Sequence, residues 1–154
     1  MDIFMSPIII GAHVSSSGGI YNAIDNAKNI EAEAIQIFPS APQMWRMTQH
    51  KTEAIEKFNE LYSSSNLKEI WIHNIYLANL AADTTEHLKK SIDSVLHALN
   101  LAKQINAKGV VLHTGSHKGK GFESVVDQIV DALEEILDRS DSVSYTHLTL
   151  PTKA

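Results

Sequence analysis

Four of the eight histidines, His13, His73, His113 and His117, stand at or just beyond the ends of short apolar runs. The runs are Pro7-Ile-Ile-Ile-Gly-Ala-His13, Glu69-Ile-Trp-Ile-His73 and Gly109-Val-Val-Leu-His113. Each reads as a buried parallel strand that delivers a side chain to the rim of a sheet, and His117 follows in the loop after the last. In α/β proteins the rim at the carboxyl ends of the strands is where ligands and metals are held. The chain has no cysteine, so disulfides and thiolate sites are excluded, and any metal must use His, Asp or Glu. Neutral imidazole is the usual nitrogen ligand of zinc. Histidines repeated at equivalent strand ends therefore point to a metal site. His50, His87 and His97 fall in helices or a polar loop and are expected to face solvent.

The elements that must position these residues follow a single rhythm. A loop with capping residues, Val14 to Gly19, leads from the first strand into a helix over residues 19–30. Ala34-Ile-Gln-Ile-Phe38 is a second strand, ended by Pro39. A long loop with an exposed-looking Trp45 and Arg46 precedes a helix from Thr52 to Tyr62. The third strand, 69–73, runs into the loop Asn74-Ile-Tyr-Leu-Ala-Asn-Leu80, unusually apolar for a surface connection. Asp83-Thr-Thr-Glu86 has capping-box spacing ahead of a long amphipathic helix. The fourth strand, 109–113, is followed by Lys118-Gly-Lys-Gly121 and a helix over about 122–137. The pattern is βα four times, at intervals of roughly 30 to 40 residues. Such repeats build either a doubly wound open sheet or a (β/α)8 barrel. No Gly-x-Gly-x-x-Gly follows the first strand, and three strand-end histidines favour the barrel, with a site at its top.

Composition sets bounds on this reading. The chain has 154 residues, 44% of them hydrophobic and 20% charged, which is a globular balance. No apolar run approaches ~18 residues, so no membrane span is expected. The first residues lack the basic and apolar regions of a signal peptide, and the cysteine-free chain fits a reducing compartment, so the expected location is cytoplasmic. A net charge of −5 argues against a basic nucleic-acid-binding face, but leaves room for DNA held through metal ions. Val143-Ser-Tyr-Thr-His-Leu-Thr-Leu-Pro-Thr152 breaks the βα rhythm. It resembles a translated transposase adapter from sequencing-library preparation. The expected organisation is one native unit over 1–142 and a non-native tail over 143–154. Without the tail's single lysine the balance is 12 basic against 18 acidic residues, or −6.

Several residues admit two uses. Tyr76 and Leu77 either cover the barrel mouth as core or wedge into a duplex, as apolar side chains do when they unstack bases. Trp45 with Arg46 has the same ambiguity. Lys118 and Lys120 either meet phosphate or belong to a solvated loop.

Taken together, Gly11-Ala-His-Val-Ser-Ser-Ser-Gly-Gly19, the segment Phe38 to Trp45, His73-Asn-Ile-Tyr-Leu-Ala-Asn-Leu80 and His113-Thr-Gly-Ser-His117 resemble the first half of endonuclease IV. That family comprises the apurinic/apyrimidinic endonucleases (deoxyribonuclease IV) of base-excision repair, built on a xylose-isomerase-like TIM barrel. The resemblance covers roughly residues 8–140. It implies the first four βα units of the barrel and a hydrolase that cuts the phosphodiester 5′ to an abasic site, leaving a 3′ hydroxyl. It implies three zinc ions, with His73 and His113 as two of their ligands, and His13 and His117 beside them rather than on the metal. It implies that Tyr76 and Leu77 enter the DNA at the lesion. Gln43 would contact DNA where many members have an arginine that enters the stack. The implied partner is double-stranded DNA with abasic sites; no protein partner and no membrane are implied. A family barrel has eight βα units, so the catalytic carboxylates and remaining ligands are expected outside this chain. The chain alone is expected to be inactive, marginally stable and prone to self-association. Two other readings are a sugar isomerase or epimerase of the same fold, which would place acids and a lysine at strand ends, and a non-enzymatic binding module.

Overall fold

The computed structural model describes residues 8–140 and 147–149. Five strands form one parallel sheet in the order β1-β2-β3-β4-β5: β1 is Gly11–His13, β2 Ala34–Ile37, β3 Glu69–His73, β4 Gly109–His113 and β5 His147–Thr149. The helices between them are α1 Asn22–Asn29, α2 Thr52–Ser63, α3 Thr85–Gln104 and α4 Val126–Arg139, the last preceded by a 3-10 turn at Phe122–Ser124. Each strand lies beside its predecessor in sequence. A doubly wound sheet would reverse its strand order at a switch point, whereas sequential order with right-handed crossovers keeps every helix on one face. The architecture is α/β, the opening portion of a TIM barrel.

Alternation within the strands shows which face is which. Ile35, Ile37, Ile70, Ile72, Val110 and Leu112 are buried together with Phe58 of α2 and with Val95, Ala98, Leu99 and Ala102 of α3. Their neighbours Gln36, Trp71, His73 and Val111 point to the opposite face and are only half-buried, and His13 and His113 are exposed. This corrects one expectation: the strands are buried on one face, not two. All-parallel sheets ordinarily have both faces covered. Here the concave face, which would be the interior of a closed barrel, is open among the described residues.

The first strand is shorter than predicted. Pro7 lies outside the described residues, and Ile8, Ile9 and Ile10, at 76%, 40% and 70% exposure, stand before β1 rather than in it. With β2 as its single neighbour, nothing on the other side pairs with or covers this run among the described residues. Gly11 is required where pairing begins, because a Cβ there would lie 2.7 Å from the Ala34 carbonyl oxygen across the ladder. The remaining strands and helices fall within a few residues of their predicted limits. The helix over 83–105 is capped one residue later than expected: Thr84, not Asp83, accepts the His87 amide.

The stretch 143–152, given no place in the βα rhythm, supplies β5. It pairs with β4 as Val111↔His147, Leu112↔Leu148 and His113↔Thr149. Without it, the edge of β4 would present a row of unpaired backbone groups, a template that accepts an extended segment.

Candidate functional site

The strand ends on the concave side carry His13, His73 and His113, and β2 runs out into Phe38. The register places these side chains on one face: His13 pairs with Gln36, Gln36 with Trp71, and His73 with Val111, two residues before His113. Four rings pack at the rim. Phe38 lies 4.3 Å from His13, 5.5 Å from His73 and 5.1 Å from Tyr76 between centroids, and Tyr76 lies 5.4 Å from His73. His13 and His73 are 6.4 Å apart. Phe38 was not singled out from the sequence. Its signal is positional: it follows the second strand where the other three strands end in histidine.

Hydrogen bonds decide which imidazole nitrogens are free. His73 Nδ1 donates to the Asn74 carbonyl at 2.6 Å, which leaves the lone pair on Nε2. His13 Nδ1 lies 3.1 Å from Gln36 Oε1; with the carbonyl oxygen accepting, its Nε2 is also free. This orientation through the far nitrogen is how metal-ligating histidines are usually held. His117 differs. Its Nδ1 accepts the Gly119 and Gly121 amides, both at 3.2 Å, so the ring ties off its own loop and carries its proton on Nε2 when neutral. His73 thus keeps Nε2 free, a nitrogen donor of the type zinc takes. Among the described residues, however, no three His, Asp or Glu side chains converge as a metal site.

The apolar loop after β3 divides its residues between two tasks. Ile75, Ala78 and Leu80 are buried, Leu77 is half-buried, and Tyr76 projects with 60% of its surface exposed. The Tyr76 amide donates to the Pro42 carbonyl at 3.1 Å, joining this loop to the one that bears Gln43. Gln43 and Arg46 are exposed. Trp45, expected to be exposed, is half-buried edge-on against His87, with centroids 5.3 Å apart. Lys120 is ion-paired with Asp83, whose carboxyl is held below its usual range by that hydrogen bond and charge. Lys118 is exposed.

The three histidines expected in solvent are all half-buried. His87 Nε2 donates to the Leu77 carbonyl at 2.9 Å. His97 Nε2 lies 3.3 Å from Ser40 Oγ, which accepts the Thr48 amide. Burial lowers the pKa of both His50 and His97, opposed by hydrogen bonding to the Pro39 carbonyl; at His97 repulsion from His50 adds to the lowering. Helical spacing alone did not identify these positions, because the loops that cover them come from elsewhere in the sequence. At His50 a hollow of about 640 Å³ opens between the loops after β1 and β2, lined also by His13, Ser15, Ser17, Phe38 and Pro42.

The fold has known counterparts. The family described as xylose isomerase-like TIM barrel matches residues 24–143. A probable endonuclease 4 of Sulfurihydrogenibium is 34% identical over 139 residues, covering 90% of this chain and 50% of the relative. A probable endonuclease 4 of Halothermothrix orenii is 33% identical over 127 residues, covering 82% and 46%. Among solved structures, endonuclease IV from Thermus thermophilus superposes with a TM-score of 0.77 at 29% identity, covering 92% of this chain and 51% of that one. A D-tagatose 3-epimerase-like protein shares the fold, with a TM-score of 0.69 at 18% identity. The chain spans about half the length of the curated relatives it matches.

Proposed function

The chain belongs to the xylose isomerase-like TIM-barrel family, with endonuclease IV as its match in sequence and structure, and from that premise we propose that it serves a zinc-dependent endonuclease that cleaves DNA 5′ to abasic sites in base-excision repair. The observation that carries the proposal is the rim itself. His73 and His113 stand at neighbouring strand ends, and beside them Tyr76 projects from a loop whose other apolar residues are buried or half-buried. A solvent-facing tyrosine on a buried apolar loop is suited to wedge between bases, as apolar side chains do in kinked duplexes.

In this reading His73 and His113 hold zinc, with His73 presenting Nε2 because Nδ1 is bound to the Asn74 carbonyl. When bound, zinc supplies Lewis acidity toward the phosphodiester. His13, held by Gln36 and packed on Phe38, shapes the floor beside the ligands. Tyr76, Leu77 and Gln43 lie along the DNA. The further ligands and the catalytic carboxylates come from a second half of barrel, of the length by which the relatives exceed this chain. The rim positions carry His13, Phe38, His73 and His113, with none of the acids or the lysine that sugar isomerisation would place there.

Duplex DNA carrying a tetrahydrofuran abasic analogue tests the proposal. The chain joined to its C-terminal half and loaded with zinc should nick 5′ to the analogue and leave a 3′ hydroxyl; no nicking would overturn it. The 154-residue chain alone should not nick. His73→Ala and His113→Ala in the joined protein should each lower bound zinc after dialysis, a readout that does not depend on activity.

A further inference from the structure

We infer that Asn79 is a positioning residue that locks the Tyr76–Leu77 loop to the segment following His113; the inference rests on the endonuclease reading above. Asn79 is 7% exposed, and its side chain bridges two rim loops. Oδ1 accepts the Ala81 amide at 2.9 Å and the Ser116 amide at 3.1 Å, while Nδ2 donates to the Ser116 carbonyl at 3.2 Å. Three of the four hydrogen bonds an asparagine can make are therefore formed, two of them across to the loop after β4. Alongside, the Leu80 amide donates to the Thr114 carbonyl at 2.8 Å.

The same residue closes a circuit back to the loop tip. The Asn79 amide donates to Ser91 Oγ at 2.9 Å, Ser91 Oγ donates to the His87 carbonyl at 2.8 Å, and His87 Nε2 donates to the Leu77 carbonyl at 2.9 Å. Leu77, α3 and the segment 114–116 are thereby joined through one buried residue, whose backbone N–H holds α3 and whose side chain holds Ser116. A satisfied buried polar network of this kind rigidifies what it connects. Gly115 is fitted to it: its φ is +130°, and a Cβ there would fall 1.8 Å from Asn79 Oδ1. Tyr76 lies three residues before Asn79, and Thr114 follows His113 directly, so the clamp sets the loop that would enter DNA against the strand end that would hold metal. A misplacement of about 1 Å at such a site can cost on the order of 100-fold in rate.

The test uses the chain joined to its C-terminal half. Asn79→Ala should speed amide hydrogen exchange at Ala81 and Ser116 on the order of tenfold, while Ile72 and Val110 in the strands remain protected. Nicking of the tetrahydrofuran duplex should fall on the order of 100-fold. In a Tyr76→Ala background the same substitution should cost much less, because the loop it orients has lost its tip; a purely structural role would cost the same in both. Asn79→Asp keeps both acceptor contacts but sets its second carboxylate oxygen against the Ser116 carbonyl. It should keep Ala81 protected, speed exchange at Ser116 and lower the rate, and it carries the test if the alanine variant does not fold. Unchanged exchange at Ala81 and Ser116, or equal costs in the two backgrounds, would overturn the clamp. If the unsubstituted joined protein does not nick, the endonuclease reading falls, and the exchange measurement still decides whether Asn79 locks the loops.

Discussion

At Tyr76 the cost to the fold and the cost to function separate. The ring leans edge-on against Phe38 and His73 while most of its surface stays in solvent. Aromatic pairs of this kind contribute about 0.5–1.5 kcal/mol each. Tyr76→Ala is therefore expected to cost about 1–3 kcal/mol of stability and to weaken binding of an abasic duplex more, as fluorescence anisotropy would measure. At Gly115 the cost to the fold is larger. With φ at +130° and Asn79 Oδ1 where a methyl would sit, Gly115→Ala combines backbone strain with a clash. It should cost at least about 1–3 kcal/mol by thermal denaturation and, by displacing Asn79 Oδ1, loosen the same clamp between the two loops. Neither cost was visible in the residue types. Tyr76 in an apolar loop could be buried or project, and only the structure, which buries Ile75, Ala78 and Leu80 around it, shows that it projects.

Between elements, α2 is anchored to the sheet by Phe58, which is fully buried among the helix-facing strand residues. Phe58→Ala is expected to destabilise by about 3–5 kcal/mol, read from chemical denaturation. The loop leading into α2 meets α3 at His50 and His97, near Pro39 and Ser40. Both imidazoles are held below their ordinary value of 6.5 mainly by burial. The unfolded chain then binds protons first as the pH falls, so stability rises with pH through this range. Their contribution is fully present above about pH 6.5 and is lost as the pH drops through the lower folded values. Melting temperature should be flat above that point and decline below it, and a His50→Gln, His97→Gln double variant should lose much of the decline. Spacing on α3 marked which of its residues face the sheet, but His97 is covered by a loop far away in sequence, at Ser40.

On the scale of the whole molecule, one face of the sheet carries helices and the other carries none among the described residues. The open face bears Trp71, Val111 and the strand-end histidines, and the exposed run Ile8 to Ile10 precedes β1. A parallel sheet with one bare face and free edges is an unusual state for a soluble domain. Made by itself, the 154-residue chain is expected to self-associate or melt with low cooperativity; sedimentation as a single monomer with a sharp two-state transition would contradict this. The period of the apolar runs determined the fold class, because strands ending in histidine and helices with one apolar face announce βα units locally. The strand ends were legible for the same reason: His73 and His113 mark their own. Tertiary structure alone decided which nitrogen His13, His73 and His117 each offer, that Phe38 joins the rim, that Trp45 and His87 pack together, and that Asn79 ties two loops. Those facts depend on hydrogen bonds and ring contacts that mostly join segments far apart in sequence, which no local pattern encodes.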